Sequence, residues 1–133
     1  MSDMAPSTVL KPRAVVIGHA GFAAGLISAV DQITGRGAML IGISNAGMTP
    51  EQMEAAVAAH VMTGVSVVFT DLPAGSATIC AKRVCGRRTD LVVVSGVNLP
   101  ALLDFVLANE ASPESAAHAA ARGRDMIGIL GGR

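Results

Sequence analysis

The sequence predicts an α/β fold of three layers, in which a mainly parallel sheet of strand order 2-1-3-4 carries helices on both faces. Short β-like apolar runs alternate with helical patterns along the chain, which is typical of strand–helix–strand units. Each run is apolar almost throughout, as expected for strands that are buried on both faces. No internal repeat or linker interrupts the alternation, so we predict a single domain over residues 13–133.

Caps and glycines mark where the predicted helices begin and end. Gly35 ends the first helical pattern, and Thr49, Pro50 and Gln52 supply a hydroxyl cap, a first-turn proline and a capping-box amide for the second. Asn98 and Ser112 are the caps expected for the last two helices. Strands are predicted at residues 14–17, 38–43, 65–70 and 91–94, and helices at residues 21–33, 50–63, 76–85, from 99 and from 113.

The composition narrows the class of protein. Apolar residues make up 51% of the 133 residues, enough for one core and too many for a disordered chain. The formal net charge is zero, tryptophan and tyrosine are absent, and binding of nucleic acid is therefore not expected. No apolar stretch approaches the roughly 20 residues of a membrane span, and residues 1–12 lack a signal-peptide pattern. We expect a cytoplasmic protein with a flexible leader at residues 1–12.

The remaining reactive side chains show no metal or cofactor pattern. Cys80 and Cys85 lie five residues apart on one predicted helix, about 140° apart around its axis, so they cannot easily form a disulfide. We expect buried, reduced thiols. The chain has no metal-ligand spacing and no phosphate-cradling lysine loop, so neither metal nor nucleotide is expected. His60 and His118 are expected to be structural or solvated.

The chemistry is predicted where the strand order reverses. His19 follows the first strand, Asp71 follows the third, and the loops after these strands face each other in a sheet of order 2-1-3-4. A carboxylate there could hold one ring nitrogen of His19 and leave the other free as a nucleophile. Because the site lies beside helix amino ends, it suits a negatively charged phosphoryl group. The alternatives are a plain loop histidine and an aspartate that caps a turn or helix.

Three further residues are candidates for binding the phosphoryl group. Gly75 and Ser76 begin the third helix and could offer backbone N–H groups and a hydroxyl, and Asn98 lies on the same rim of the sheet. Ser76 and Asn98 could instead serve only as helix caps. A dinucleotide site is the weaker interpretation, because alanines stand where the glycine fingerprint needs its second and third glycines.

Four segments, taken in order, resemble the IIA component of the mannose family of the bacterial sugar phosphotransferase system, most closely its N-acetylgalactosamine-type subgroup. Together they span nearly the whole chain. They are VIGHAGFAAGL at residues 16–26, VFTDLPAGS at 68–76, SGVNLPALL at 95–103 and RGR at 122–124.

The resemblance implies a phosphocarrier. His19 would accept a phosphoryl group from the histidine-containing phosphocarrier protein and pass it to a separate IIB component, which phosphorylates a sugar during import with the membrane components IIC and IID. Asp71 would orient His19, and Ser76 would contact the phosphoryl group. The resemblance also implies a homodimer and a short antiparallel C-terminal strand at about residues 127–130.

The second loop departs from the family pattern. That loop usually reads Gly-Gly-(Ser/Thr)-Pro, whereas this chain has Ala74 and Ala77 at its first and last positions. Some family members carry the phosphorylated histidine one position later, where this chain has Ala20, so His19 is the candidate here. The altered loop leaves a second interpretation open, a regulatory or small-ligand-binding α/β domain that does not transfer phosphoryl groups.

Overall fold

The computed structural model describes residues 10–88 and 90–132. Strands and helices alternate through the fourth strand, and two helices follow it. The strands are β1 (Ala14–Gly18), β2 (Leu40–Ser44), β3 (Val67–Thr70) and β4 (Val92–Ser95), and the α-helices are α1 (Phe22–Thr34), α2 (Pro50–Val61), α3 (Ser76–Cys85), α4 (Leu99–Leu107) and α5 (Pro113–Asp125).

The four strands form one parallel sheet of order β2-β1-β3-β4, which confirms the predicted topology. Ile17 of β1 is aligned with Ile43 of β2 and with Thr70 of β3, and Thr70 is aligned with Ser95 of β4. The carboxyl ends of all four strands therefore reach the same edge of the sheet. The segments that follow β1 and β3 begin side by side at this edge.

The side chains of successive strand residues point alternately into two separate hydrophobic cores, one on each face of the sheet. Val16 and Phe69 face α1, α4 and α5, and the ring of Phe69 meets that of Phe105 edge to face with centroids 5.0 Å apart. Val15 and Val68 face α2 and α3. Because both faces are covered, the strands are apolar almost up to their last residues, as the sequence pattern indicated.

Local signals set most helix boundaries where they were expected. The Thr49 hydroxyl accepts a hydrogen bond from the Gln52 N–H, and the Gln52 side chain accepts one from the Thr49 N–H, so the predicted capping box is formed. Gly35 ends α1 in the left-handed conformation, with φ of 71°. The α3 helix begins and ends at the predicted residues.

Three predicted strand features differ from the structure. The third strand begins at Val67 rather than at residue 65. The second strand begins at Leu40 rather than at residue 38, because Gly37–Met39 forms a 3₁₀ turn held by Asp31, whose Oδ1 accepts from the Gly37 N–H. The antiparallel strand implied at residues 127–130 is not formed within the chain. Its apolar side chains, Ile129 and Leu130 among them, are exposed and pair with none of the described strands.

The longest helices in the described part of the chain have 13 residues. A membrane-spanning helix needs about 20 apolar residues, and no helix within residues 10–88 and 90–132 is long and apolar enough to cross a membrane.

Candidate active site at the carboxyl edge of the sheet

His19 and Asp71 meet at the carboxyl edge of the sheet. His19 is the first residue after β1, and Asp71 is the first residue after β3, so the pairing of these strands places them side by side. The Asp71 Oδ2 atom lies 2.7 Å from His19 Nδ1 and also accepts a hydrogen bond of 2.9 Å from the His19 backbone N–H. The sequence prediction that these two residues come together is confirmed. The Asp71 side chain binds His19 and does not cap a helix.

This contact fixes which ring nitrogen of His19 is free. An ionised carboxylate only accepts hydrogen bonds, so Nδ1 must carry the proton that it donates to Asp71. In the neutral ring Nε2 is then unprotonated and keeps its lone pair. The His19 side chain is 57% exposed, and Nε2 has no hydrogen-bond partner among the described residues. The free nitrogen is thus accessible to a reacting group.

Asp71 is held in an almost dry setting. Its side chain is only 7% exposed. Burial on its own would raise the pKa of the Asp71 carboxyl, but the hydrogen bonds from the His19 ring and the His19 backbone N–H outweigh it, so that the pKa lies below its ordinary value. The other carboxylate oxygen, Oδ1, is buried and has no hydrogen-bond partner in the described part of the chain. The ring and the backbone N–H of His19 both donate to the Asp71 side chain.

Gly18 is the residue that lets the two loops come this close. A Cβ atom at Gly18 would lie 2.9 Å from the Asp71 carboxylate carbon, from Asp71 Oδ2 and from the Phe22 ring. Any side chain there would displace the carboxylate from His19. On the other side of His19, Ala20 has a φ of 46°, the one left-handed residue other than glycine in the described ranges, which costs about 1–2 kcal/mol.

The N-terminus of α3 lies against the His19 ring. A Cβ atom built at Gly75 would be 3.7 Å from His19 Cε1, and Cε1 is bonded to Nε2. Gly75 is the N-cap residue of α3, and no side chain caps this helix. Ser76 is exposed in the first turn, so the alternative that Ser76 is simply the cap is wrong. Helix N-termini attract anions through N–H groups that lack intrahelical partners.

Asn98 serves the packing of α4 against α5. Its Oδ1 accepts from the Ala101 N–H at 3.1 Å, which caps α4, and its Nδ2 donates to the Gly123 carbonyl at 2.9 Å. The helix-cap alternative is therefore confirmed for Asn98. Contact of Asn98 with a phosphoryl group stays a prediction, and these bonds weaken it because they already occupy both ends of the amide.

Sequence reasoning missed two buried hydroxyls beneath the site. Thr70 and Thr78 are the only polar residues in the described part of the chain that are buried as whole residues, backbone included, with 0% and 3% exposure. Their hydroxyl oxygens are 2.6 Å apart, and the Thr78 hydroxyl also bonds the Leu72 carbonyl. A threonine at the end of an apolar strand resembles any β-branched strand residue, so the sequence carries no signal for this contact.

A second histidine–aspartate pair joins α4 and α5. His118 Nδ1 lies 2.8 Å from Asp104 Oδ2, and the His118 side chain is 75% exposed. The pair lies on the outer surface of the two helices rather than at the end of a strand. This agrees with the expectation that His118 is structural or solvated.

Cys80 is buried as predicted, whereas Cys85 is only half-buried. Both cysteines are free, and burial raises the pKa of the Cys80 thiol. Within residues 10–88 and 90–132, no group of three or more histidine, cysteine, aspartate or glutamate side chains is arranged to hold a metal ion.

Taken together, the fold and the paired side chains define a doubly wound α/β domain that presents a carboxylate-held histidine at the carboxyl edge of its sheet. The family model EIIA-man, described as PTS system fructose IIA component, matches residues 13–121. The chain belongs to this family of phosphotransferase-system IIA components. A comparison with curated protein sequences gives no match.

Solved structures of similar proteins share the fold. The mannose/sorbose-specific IIA subunit from Enterococcus faecalis is 22% identical with a TM-score of 0.79, over 93% of this chain and 98% of that one. The EIIA component from Streptococcus agalactiae is 22% identical with a TM-score of 0.78, over 88% and 95%. A sigma-54 interaction domain protein from Enterococcus faecalis is 12% identical with a TM-score of 0.68, over 90% and 93%.

We predict that Gly18→Ala disrupts the His19–Asp71 contact. The added methyl group would sit 2.9 Å from the carboxylate, and such overpacking costs about 1–3 kcal/mol. Urea unfolding should show the loss of stability, and NMR should show loss of the hydrogen-bonded Nδ1 proton of His19. Gly25→Ala is the matched control, because a Cβ there meets open space on α1 and should stabilise the helix by up to about 1 kcal/mol. A normal Nδ1 signal in Gly18→Ala would contradict the prediction.

We predict that the Asp71 carboxyl titrates below the ordinary value of about 3.9, since its folded-state pKa is lowered. Its contribution to stability is therefore fully present above the unfolded-state value and is lost as the pH falls through the folded-state value. Carbon-13 NMR of the carboxyl gives the midpoint directly. The stability gap between wild type and Asp71→Asn should close over the same acid range. A midpoint at or above about 4 would rule out the pairing as drawn.

Proposed function

We propose that the protein carries phosphoryl groups as a phosphohistidine on His19, between the histidine-containing phosphocarrier protein and a IIB component of a sugar uptake system. Membership of the IIA family supports the general role. The observation that carries the proposal is the 2.7 Å contact between His19 Nδ1 and Asp71 Oδ2, with the rest of the ring exposed. A carrier that meets two partner proteins needs its reacting atom at the surface.

The transfer step follows from the free lone pair on His19 Nε2. This nitrogen attacks the phosphorus atom of the donor's phosphohistidine, and a new N–P bond forms as the donor's N–P bond breaks. The electron pair of the broken bond returns to the donor's ring nitrogen. The His19 ring, which keeps its Nδ1 proton, gains positive charge as it becomes phosphorylated. In the second transfer a histidine of the IIB component attacks the same phosphorus atom, and His19 Nε2 regains its lone pair.

Two features of the site favour the phosphorylated state. The Asp71 carboxylate, held against Nδ1, stabilises the cationic ring by a charge-assisted hydrogen bond, worth about 1.5–3 kcal/mol. The N-terminus of α3 at Gly75 and Ser76 lies beside the same ring, where negative charge is favoured by about 0.3–1 kcal/mol. We propose that the Ser76 hydroxyl and the first N–H groups of α3 contact the phosphoryl oxygens.

The altered second loop still delivers the helix N-terminus to His19. Ala74 and Ala77 replace the glycine and proline usual in the family, yet Gly75 lies against the His19 ring and α3 begins directly after it. Ala77 is buried in the core rather than facing the site. These contacts favour the carrier over a domain that has lost transfer activity. The proposal includes the predicted cytoplasmic location, cooperation with IIC and IID components and the N-acetylgalactosamine-type subgroup.

We predict that the protein becomes labelled on His19. Incubation with phosphoenolpyruvate, the general phosphotransferase enzyme and the histidine-containing phosphocarrier protein should give a label that is labile in acid and stable in base. His19→Ala should abolish the label, because it removes the attacking nitrogen. His118→Ala is the matched control, since it removes the other exposed, carboxylate-paired imidazole. No label in the wild type would favour the regulatory or ligand-binding alternative, and a label retained in His19→Ala would refute the assignment.

We predict that Asp71→Asn slows phosphoryl transfer on the order of 10²–10⁴-fold, the range typical of an orienting or proton-handling group. The amide has nearly the same shape but can donate a hydrogen bond to Nδ1, which would leave the proton on Nε2 and block the attack. Single-turnover transfer from the labelled phosphocarrier measures the rate. Asp104→Asn makes the same change at the surface pair and should leave the rate unaltered. An undiminished rate in Asp71→Asn would exclude this role for Asp71.

We also propose that the protein forms a homodimer. Four large apolar side chains near the C-terminus are exposed: Met126 (53%), Ile127 (75%), Ile129 (90%) and Leu130 (98%). Burial of such surface is worth about 25 cal/mol per Å². Light scattering at micromolar concentration should give the mass of a dimer, and the double change Ile129→Ser with Leu130→Ser should give a monomer. Met62→Ser, at another exposed apolar side chain, should stay dimeric. A monomeric wild type would contradict the proposal.

A further inference from the structure

The two residues that flank Asp71 are bound to one and the same hydroxyl group. Thr70, the last residue of β3, has its hydroxyl oxygen 2.6 Å from that of Thr78, and the Thr78 hydroxyl also bonds the carbonyl of Leu72. Thr78 belongs to the first turn of α3. The contact therefore ties the Thr70 side chain and the Leu72 backbone, one on each side of Asp71, to the start of the helix that lies against His19.

Each threonine hydroxyl carries a single proton, and this determines which group donates in each hydrogen bond. The Leu72 carbonyl can only accept, so the single proton of the Thr78 hydroxyl is donated to it. Thr70 must then donate its own proton to the Thr78 oxygen. The result is a chain from the Thr70 hydroxyl through the Thr78 hydroxyl to the Leu72 carbonyl, in which both hydroxyls donate. The two hydroxyls lie in the interior, since Thr70 and Thr78 are 0% and 3% exposed, and a hydrogen bond in such a low-dielectric setting is stronger than one in water.

We propose that Thr78, together with Thr70, is the positioning residue of the site: its hydroxyl clamps the loop at Asp71 so that the carboxylate holds His19 in the Nδ1–H form. Neither threonine lies at the surface where a donor or acceptor protein would dock. The clamp acts through Asp71, whose Oδ2 reaches both the ring and the backbone of His19. It also sets the distance between Asp71 and the N-terminus of α3. This inference rests on the proposed function for its effect on rate, but its effect on the tautomer does not.

Thr78→Val tests the clamp, because it keeps the shape of the side chain and removes the hydroxyl. Nitrogen-15 NMR of the histidine rings should show a shift from the Nδ1–H form of His19 toward the Nε2–H form. Transfer from the phosphocarrier should slow by up to about a hundredfold, as expected for a displacement near 1 Å in the site. The loss should fall on kcat, with KM for the phosphocarrier unchanged, since Thr78 is buried.

Two further variants distinguish the effect of the lost hydroxyl from effects on packing and on folding. Thr78→Ser keeps the hydroxyl and should restore both the tautomer and the rate; a rate as low as that of Thr78→Val would overturn the clamp. If Thr78→Val does not fold, Thr70→Val is used in its place, because it leaves the hydrogen bond from the Thr78 hydroxyl to the Leu72 carbonyl intact. It should shift the His19 tautomer in the same direction by a smaller amount, and an unshifted ring would overturn the proposal.

Thr34→Val is the matched control, because it removes a hydrogen-bonded hydroxyl and lowers stability without moving Asp71 or His19. The Thr34 hydroxyl also makes two hydrogen bonds, to the Val30 carbonyl and from the Arg36 N–H, at the far end of α1. It should leave the His19 tautomer and the rate unchanged. If folded Thr78→Val keeps the wild-type tautomer, the clamp is refuted. If wild-type protein is never phosphorylated on His19, the proposed function fails, while the tautomer measurement still decides the clamp.

Discussion

The hydrogen bond between His19 Nδ1 and Asp71 Oδ2 is the interaction on which the rest of the site depends. It joins the residues that follow two neighbouring parallel strands, so it requires the strand order and the register in which Ile17 is aligned with Thr70. It also requires a glycine at position 18, where a side chain would collide with the carboxylate. Because the carboxylate accepts a hydrogen bond from the Nδ1 proton, the free lone pair on Nε2 is a consequence of the fold.

The second pair, His118 with Asp104, is a contact of similar length in a more exposed setting. The distances are nearly the same, 2.8 Å against 2.7 Å, but the Asp104 side chain is 21% exposed and that of Asp71 is 7% exposed. A charge–charge contact in water contributes little, whereas a buried carboxylate without its partner is costly. Loss of the contact with His19 would therefore be costly for Asp71. The N-terminus of α3 adjoins the His19 ring, and helix N-termini favour anions.

Periodicity and caps in the sequence were sufficient to predict the architecture, the α3 boundaries and the meeting of His19 with Asp71. They were not sufficient where a polar group acts through tertiary contact. Thr70 and Thr78 look like ordinary strand and helix residues, and only the folded chain brings their hydroxyls together. The start of β2 was misplaced because the Asp31 side chain holds a turn from a distance. The role of Asn98 in packing depends on Gly123, 25 residues away.

The most direct test of the account is to determine which nitrogen carries the phosphoryl group. Nitrogen-15 and phosphorus-31 NMR of the phosphorylated protein, labelled at its histidine rings, identifies both the residue and the atom. We expect the phosphorus to be bonded to Nε2 of His19, with Nδ1 still protonated and hydrogen-bonded to Asp71. A phosphoryl group on Nδ1 of His19, or on His60 or His118, would contradict the account, because the Asp71 contact leaves the free lone pair of the His19 ring on Nε2.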